Sequence, residues 1–149
     1  INSSSLLVML VLTLPAAWLS DRIGRKPLLY LFVLGFLVFS WPLWWLMHRP
    51  DFASILLGQM GFAALFGTGF AAMPAAMVEM LPREVRCSGV SIGYNLCVGL
   101  FGGTTPLIAT YLVERTANDF APVYYLMAMS FASLLVVLGL PETARKPLD

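Results

Sequence analysis

The sequence predicts an all-α membrane protein with five transmembrane helices. Three observations carry this expectation. Mean hydropathy is +0.82 and only 11% of the 149 residues are charged, where a soluble domain carries about a quarter. The apolar runs are about 20 residues each, and at ~1.5 Å of rise per residue that length spans a hydrocarbon core ~30 Å thick. The runs also lack the strict alternation of a membrane barrel strand, so closed helices remain as the structure that satisfies every backbone group in lipid.

The first span is expected over residues 4–19. No basic region precedes it and no small-residue cleavage site follows, so it does not read as a signal peptide. The chain enters it directly from Ile1 through the polar N-S-S-S, which predicts a part of a longer protein. The second span, 28–47, follows S-D-R-I-G-R-K-P (20–27), with Gly24 as the turn and Pro27 near the helix start, where a missing N–H costs least. H-R-P-D (48–51) separates it from the third span, 52–80, which holds Gly58, Gln59, Gly61, Gly67, Thr68, Gly69 and Pro74. The fourth span, 88–113, follows P-R-E-V-R (82–86) and is rich in Gly, Ser and Thr, with Tyr94 and Asn95 near its start. A polar connector from Glu114 to Ala121 leads to the fifth, 122–140. Prolines inside spans, at positions 15, 42, 74 and 106, are tolerated in membranes and mark kinks.

The spans differ in kind. The second and fifth are bulky and apolar, with one glycine each, and are expected to face lipid. The third and fourth carry the small and polar residues that allow close backbone approach or border a cavity. Plain helix packing is the competing reading for any one of these glycines.

Orientation follows from the bases. Arg22, Arg25, Lys26, Arg83, Arg86, Arg145 and Lys146 collect at one end, seven of nine, against Arg49 and Arg115 at the other. The positive-inside rule makes the first end cytoplasmic, which puts the N-terminus outside and the C-terminus in the cytoplasm. That rule leaves three acids unexplained, Asp21, Glu79 and Glu84. Asp21 and Glu79 stand at helix C-terminal ends, and Arg25, Lys26 and Arg86 at N-terminal ends. Each position opposes the helix dipole by ~0.3–1 kcal/mol. Two loops built against the dipole predict that the charges have partners. Glu79 with Arg25 or Arg86 is the favoured pair. Asp21, Glu79 and Arg86 are the residues expected to act as a conformational gate, while a topology and lipid-anchoring role competes for Arg22 and Lys26.

Several chemistries are excluded. G-V-S-I-G (89–93) fits a serine-hydrolase elbow, but that motif needs a strand–turn–helix with His and an acid nearby. Here it lies inside an apolar helix, and His48, the single histidine, sits in the opposite loop. No metal cluster is predicted from one His and two separated Cys, and Cys87 and Cys97 lie ~15 Å apart along one helix, too far for a disulfide. No enzyme, no catalytic residue, no cofactor and no nucleic-acid partner is expected.

At the charged loops the chain resembles the major facilitator superfamily. L-S-D-R-I-G-R-K-P resembles the signature loop G-x-x-x-D-R-x-G-R-[RK], with Ala17 in place of its first glycine. E-M-L-P-R-E-V-R (79–86) matches E-x-x-P-x-x-x-R, and P-E-T (141–143) resembles the ending of sugar porters. P-R-E-V-R-C-S-G-V-S-I-G-Y-N-L, A-P-V-Y-Y-L-M and E-T-A-R-K-P-L resemble the metabolite:proton symporter branch, which includes proline/glycine-betaine, α-ketoglutarate, citrate and shikimate carriers.

The resemblance implies that the five spans correspond to helices eight to twelve of a twelve-helix carrier, with the N-terminal half and helix seven outside this sequence. It implies alternating access about a midplane site in the inner membrane of a bacterium. The gate would comprise Asp21, Arg22, Gly24, Arg25, Lys26, Glu79, Arg83 and Arg86. It also implies that the partner of Asp21 belongs to the other half. Substrate-cavity candidates are Gln59, Thr68, Tyr94 and Asn95; Asn95 could equally tie helices together. The solute would be a small organic acid or zwitterion and the coupling ion a proton. No acid lies at mid-membrane depth, so the coupling residue is expected outside this sequence. The competing function is a truncated, non-transporting membrane remnant or scaffold.

Overall fold

A computed structural model describes residues 2–140. Among these residues the chain is helical throughout its ordered elements, with no strand. The elements are α1 (Asn2–Ile23), α2 (Arg25–Met47), α3 (Phe52–Glu79), α4 (Arg86–Cys97), a π-helical turn (Val98–Gly102), α5 (Gly103–Thr116) and α6 (Ala121–Gly139). The π turn joins α4 and α5 into one continuous run, so five helices are long and apolar enough to cross a membrane.

The helix ends follow local chemistry. α1 continues past residue 19 because L-S-D-R-I contains no breaker before Gly24, whose φ of 122° suits only glycine. Asp21 and Arg22 therefore lie within the last turn of α1 rather than in a loop. α2 begins at once with Arg25 as its first residue, which puts Pro27 in the first turn. At the other end Asp51 caps α3, its carboxylate accepting from the Ser54 N–H at 3.2 Å and the Ser54 hydroxyl at 3.1 Å. Pro122 lies in the first turn of α6. The tail motif P-E-T and the bases Arg145 and Lys146 lie outside the described residues.

α3 packs against α1 on one side and α2 on the other, and α2 packs in turn against α6. Glycines make the first two contacts close. A Cβ at Gly58 would stand 2.8 Å from the Leu43 carbonyl oxygen of α2, and one at Gly67 would stand 3.3 Å from the Met9 carbonyl of α1. The core centres on Ala16, Leu28 and Ala72. An aromatic cluster extends it along α2 and α3, with Phe36 5.0 Å from Phe66, 5.1 Å from Phe32 and 6.0 Å from Phe62.

α2, expected to face lipid, joins α3 to α6 on one side and exposes Leu31, Val38, Phe39 and Trp41 on the other. Bulky side chains interdigitate where small ones leave gaps, so a bulky helix can centre the packing as well as face lipid. The small-residue span from α4 to α5 contributes no buried residue, and a Cβ at Gly93, Gly99 or Gly103 would meet nothing within 4 Å.

Candidate functional site

The charged residues of the two loops converge at one end of the bundle, on Arg25. Its Nε donates to both oxygens of Glu79, at 3.2 and 3.4 Å, and its Nη2 donates to Oε1 at 3.1 Å. The pair joins the start of α2 to the end of α3. Nη1 turns the other way, donating to the Asp21 carboxylate at 2.5 Å and to the Ser20 hydroxyl at 3.0 Å. Side-chain exposure separates the two acids. Arg25 is 15% exposed and Glu79 18%, whereas Asp21 is 65% exposed. The Arg25–Glu79 bond is charge-assisted, with both Nε and Nη2 engaged, and is half-withdrawn from solvent, where such pairs are stronger than surface ones.

The arrangement resolves the opposition to the helix dipoles. Glu79 ends α3 and Arg25 begins α2, so each disfavoured charge sits beside the other. Of the two pairings expected for Glu79, the structure makes the one with Arg25. Arg86 directs its Nε to the Leu81 carbonyl at 3.0 Å, holding the turn that precedes α4. Asp21, in the last turn of α1, is paired with Arg25 four residues on and keeps 65% of its side chain exposed. Gly24 makes that contact possible, because its positive φ turns the chain tightly enough to bring Arg25 back onto Asp21.

The remaining signature residues surround this centre. The Arg22 guanidinium lies over the Trp18 ring at 3.8 Å. Lys26 donates to the Leu138 carbonyl at 3.2 Å, joining the loop to the last turn of α6. Arg83 and Arg86 line a groove with Val78, Cys87, Val90 and Ser91. Ser20, assigned no role from sequence, is completely buried and holds Arg25. A lone Ser in a charged loop gives no sequence signal for that contact.

The four substrate-cavity candidates do not meet. Gln59 lines a cavity of about 380 Å³ between α1 and α3, with Ser5, Met9, Met47, Phe62 and Phe66. The Ser5 hydroxyl donates to its Oε1 at 3.2 Å. Thr68 faces a separate apolar pocket between α2 and α3, and its hydroxyl is bonded to the Leu65 carbonyl at 2.7 Å. Tyr94 is exposed on α4. Asn95 donates to the Ser91 carbonyl of its own helix at 2.7 Å. Sequence reasoning missed Phe62 and Phe66; their spacing with Phe70 on one helix face was the available signal. Among the described residues no group of three or more His, Cys, Asp or Glu could hold a metal, and Cys87 and Cys97 are free thiols.

Comparison with known proteins places these features. The sequence pattern described as sugar (and other) transporter matches residues 1–149. The chain is 35% identical over 145 residues to the ectoine/proline transporter ProP of Corynebacterium glutamicum, covering 96% of this chain and 29% of that protein. It is 36% identical over 142 residues to a putative proline/betaine transporter of Staphylococcus aureus, covering 95% and 30%. A citrate-proton symporter of Salmonella typhi is 38% identical over 117 residues, covering 78% and 27%. The chain thus spans less than a third of the length of these curated relatives. No solved structure matches.

Proposed function

The chain belongs to the sugar (and other) transporter family of the major facilitator superfamily, and from that premise we propose that it is the gating part of a secondary carrier. The carrier moves a small organic acid or zwitterion across a bacterial inner membrane by proton symport. The observation that carries this reading is the Arg25 centre. It joins the start of one span to the end of another through two half-buried charges, and a pair that forms in one conformation and opens in another biases a two-state equilibrium. The end that holds Arg22, Arg25, Lys26, Arg83 and Arg86 faces the cytoplasm by the positive-inside rule. Alternating access then opens that end as the opposite end closes.

The relatives support transport of both zwitterionic and anionic solutes. The proton is proposed from the symporter among them and from the coupling chemistry of such carriers. Its titratable relay belongs to parts of the carrier beyond these spans, because among the described residues the acids all lie at helix ends or in connectors. Uptake of labelled proline, glycine betaine, citrate, α-ketoglutarate and shikimate by cells expressing the whole carrier, with and without a proton uncoupler, tests the reading. Accumulation of one class, abolished by the uncoupler, is the expected result. Uptake no greater than in cells without the carrier would favour the scaffold reading.

A further inference from the structure

We infer that His48 makes one end of the bundle responsive to pH, as a latch that holds the end of α2 to the α5–α6 connector more firmly when its ring is protonated. The latch lies at the end opposite the Arg25 centre and stands apart from the identity of the solute. Its parts are the exposed His48 and the half-buried Trp44 and Phe120. The His48 ring stacks on Phe120, with centroids 5.0 Å apart and planes 29° from parallel. It also meets the Trp44 ring at 5.5 Å.

The seat of the ring suits either protonation state. His48 Nδ1 lies 2.9 Å from the Trp44 carbonyl oxygen. A carbonyl only accepts, so Nδ1 carries the hydrogen and Nε2 is the atom that gains or loses a proton. Both forms therefore keep the same bond, and protonation adds charge without unseating the ring. The facing connector is held as well. Phe120 donates its N–H to Asn118 Oδ1 at 2.9 Å, and the Trp44 indole donates to the Asp119 carbonyl at 3.1 Å.

A neutral imidazole gains only stacking from these rings. An imidazolium adds the attraction between a cation and the negative face of an aromatic ring. The other charged groups at this end are Arg49 and Asp51 on the α2–α3 connector, Asp119 on the α5–α6 connector, and Glu114 and Arg115 at the end of α5. Arg49 lies over the Trp45 ring at 3.9 Å, and Asp51 caps α3. Carboxylates and guanidinium groups ordinarily keep their charge between about pH 5.5 and 7.5, whereas histidines change theirs. The protonated ring binds its neighbours better, so the latch is tightest in acid and loosens as pH rises through the ordinary histidine range, near about 6.5. α2 runs from Arg25 to Met47, so the latch fixes the far end of the helix that carries the charged centre.

The test is amide hydrogen exchange of the whole carrier in detergent micelles at about pH 5.5 and 7.5, with each rate divided by the intrinsic rate at that pH. The reporting amides are those of His48, Arg49, Ala121 and Val123, which bond at the end of α2 and the start of α6. Their protection is expected to be about two- to fivefold higher at the lower pH, the value of one exposed cation–ring contact. The middle of α3 serves as the control and is expected to show no change. His48→Phe keeps a ring against Phe120 but takes no proton, and His48→Gln keeps a polar group without a ring. Both variants are expected to abolish the dependence, and either one suffices if the other fails to fold. Equal protection at the two pH values in the unaltered carrier would overturn the inference. So would a dependence that survives in the variants or is shared by α3.

Discussion

Single residues show where this chain is tightly fitted and where it is open. At Gly58 an added Cβ would approach a backbone carbonyl of α2 at 2.8 Å and Met47 Cγ at 2.6 Å. The carbonyl cannot swing aside, so the helices must separate. Gly58→Ala is expected to destabilise the α2–α3 contact by about 1–3 kcal/mol, the usual cost of overpacking, lowering the thermal midpoint of the purified carrier in detergent. Gly93→Ala should act in the opposite sense. Nothing stands within 4 Å of its Cβ position, and alanine in place of an exposed helical glycine gains about 0.5–1 kcal/mol. A lower midpoint for Gly93→Ala would show that another part of the carrier packs on α4. Gly24 is a third case, since its φ of 122° is strained for any side chain. Gly24→Ala is expected to cost about 1–3 kcal/mol and to move Arg25 away from Asp21.

At the scale of elements, the existence and order of the five spans were legible because each is a long apolar run bounded by charge, Pro or Gly. The ends were less so. Whether Asp21 falls inside α1 or beyond it depends on which residue first breaks the helix, and apolar run length does not record that. The packing partners were less legible again. Bulk and apolarity suit a lipid face and a helix interface equally well, so composition could not show that α2 joins α3 to α6.

The π turn at Val98–Gly102 was visible only as the glycine-rich G-L-F-G-G. Thr104 and Thr105 hydroxyls bond to the Leu100 and Phe101 carbonyls, and Pro106 has no N–H to return to Gly102. Side-chain donors thus replace part of the backbone ladder in a span with no buried residue. The amides of residues 98–105 are expected to exchange with solvent faster than those of α2 and α3 in detergent micelles. Equal protection would mean that the turn is as firmly held as the core helices.

The whole molecule is asymmetric in charge and in packing. Its charged end is held by Arg25, with Lys26 reaching α6. Its opposite end is held by aromatic contacts. Trp44, in the last turn of α2, donates to the Asp119 carbonyl at 3.1 Å and His48 stacks on Phe120 at 5.0 Å, joining the end of α2 and its connector to the α5–α6 connector. The pairing of Glu79 was readable in the sequence because two charges set against their dipoles require partners, and Arg25 was one of the two within reach. The double engagement of Arg25 was not readable, since it depends on the tight turn at Gly24 and on a buried Ser20. Nor was the separation of Gln59, Thr68, Tyr94 and Asn95 into different surroundings, because composition places residues on a span without fixing the face they occupy.

If this charged centre is a gate, its loss must slow turnover without emptying the membrane of protein. The direct measurement is the initial transport rate per carrier molecule, in proteoliposomes of matched protein content, for Glu79→Gln beside the unaltered carrier, with Arg86→Gln as the neighbouring variant. For Glu79→Gln, loss of the half-buried charge pair to Arg25 is expected to lower turnover about tenfold or more while expression changes little. Arg86→Gln is expected to fall in the same direction through the loosened turn at Leu81. Turnover equal to that of the unaltered carrier in both variants would contradict the gate.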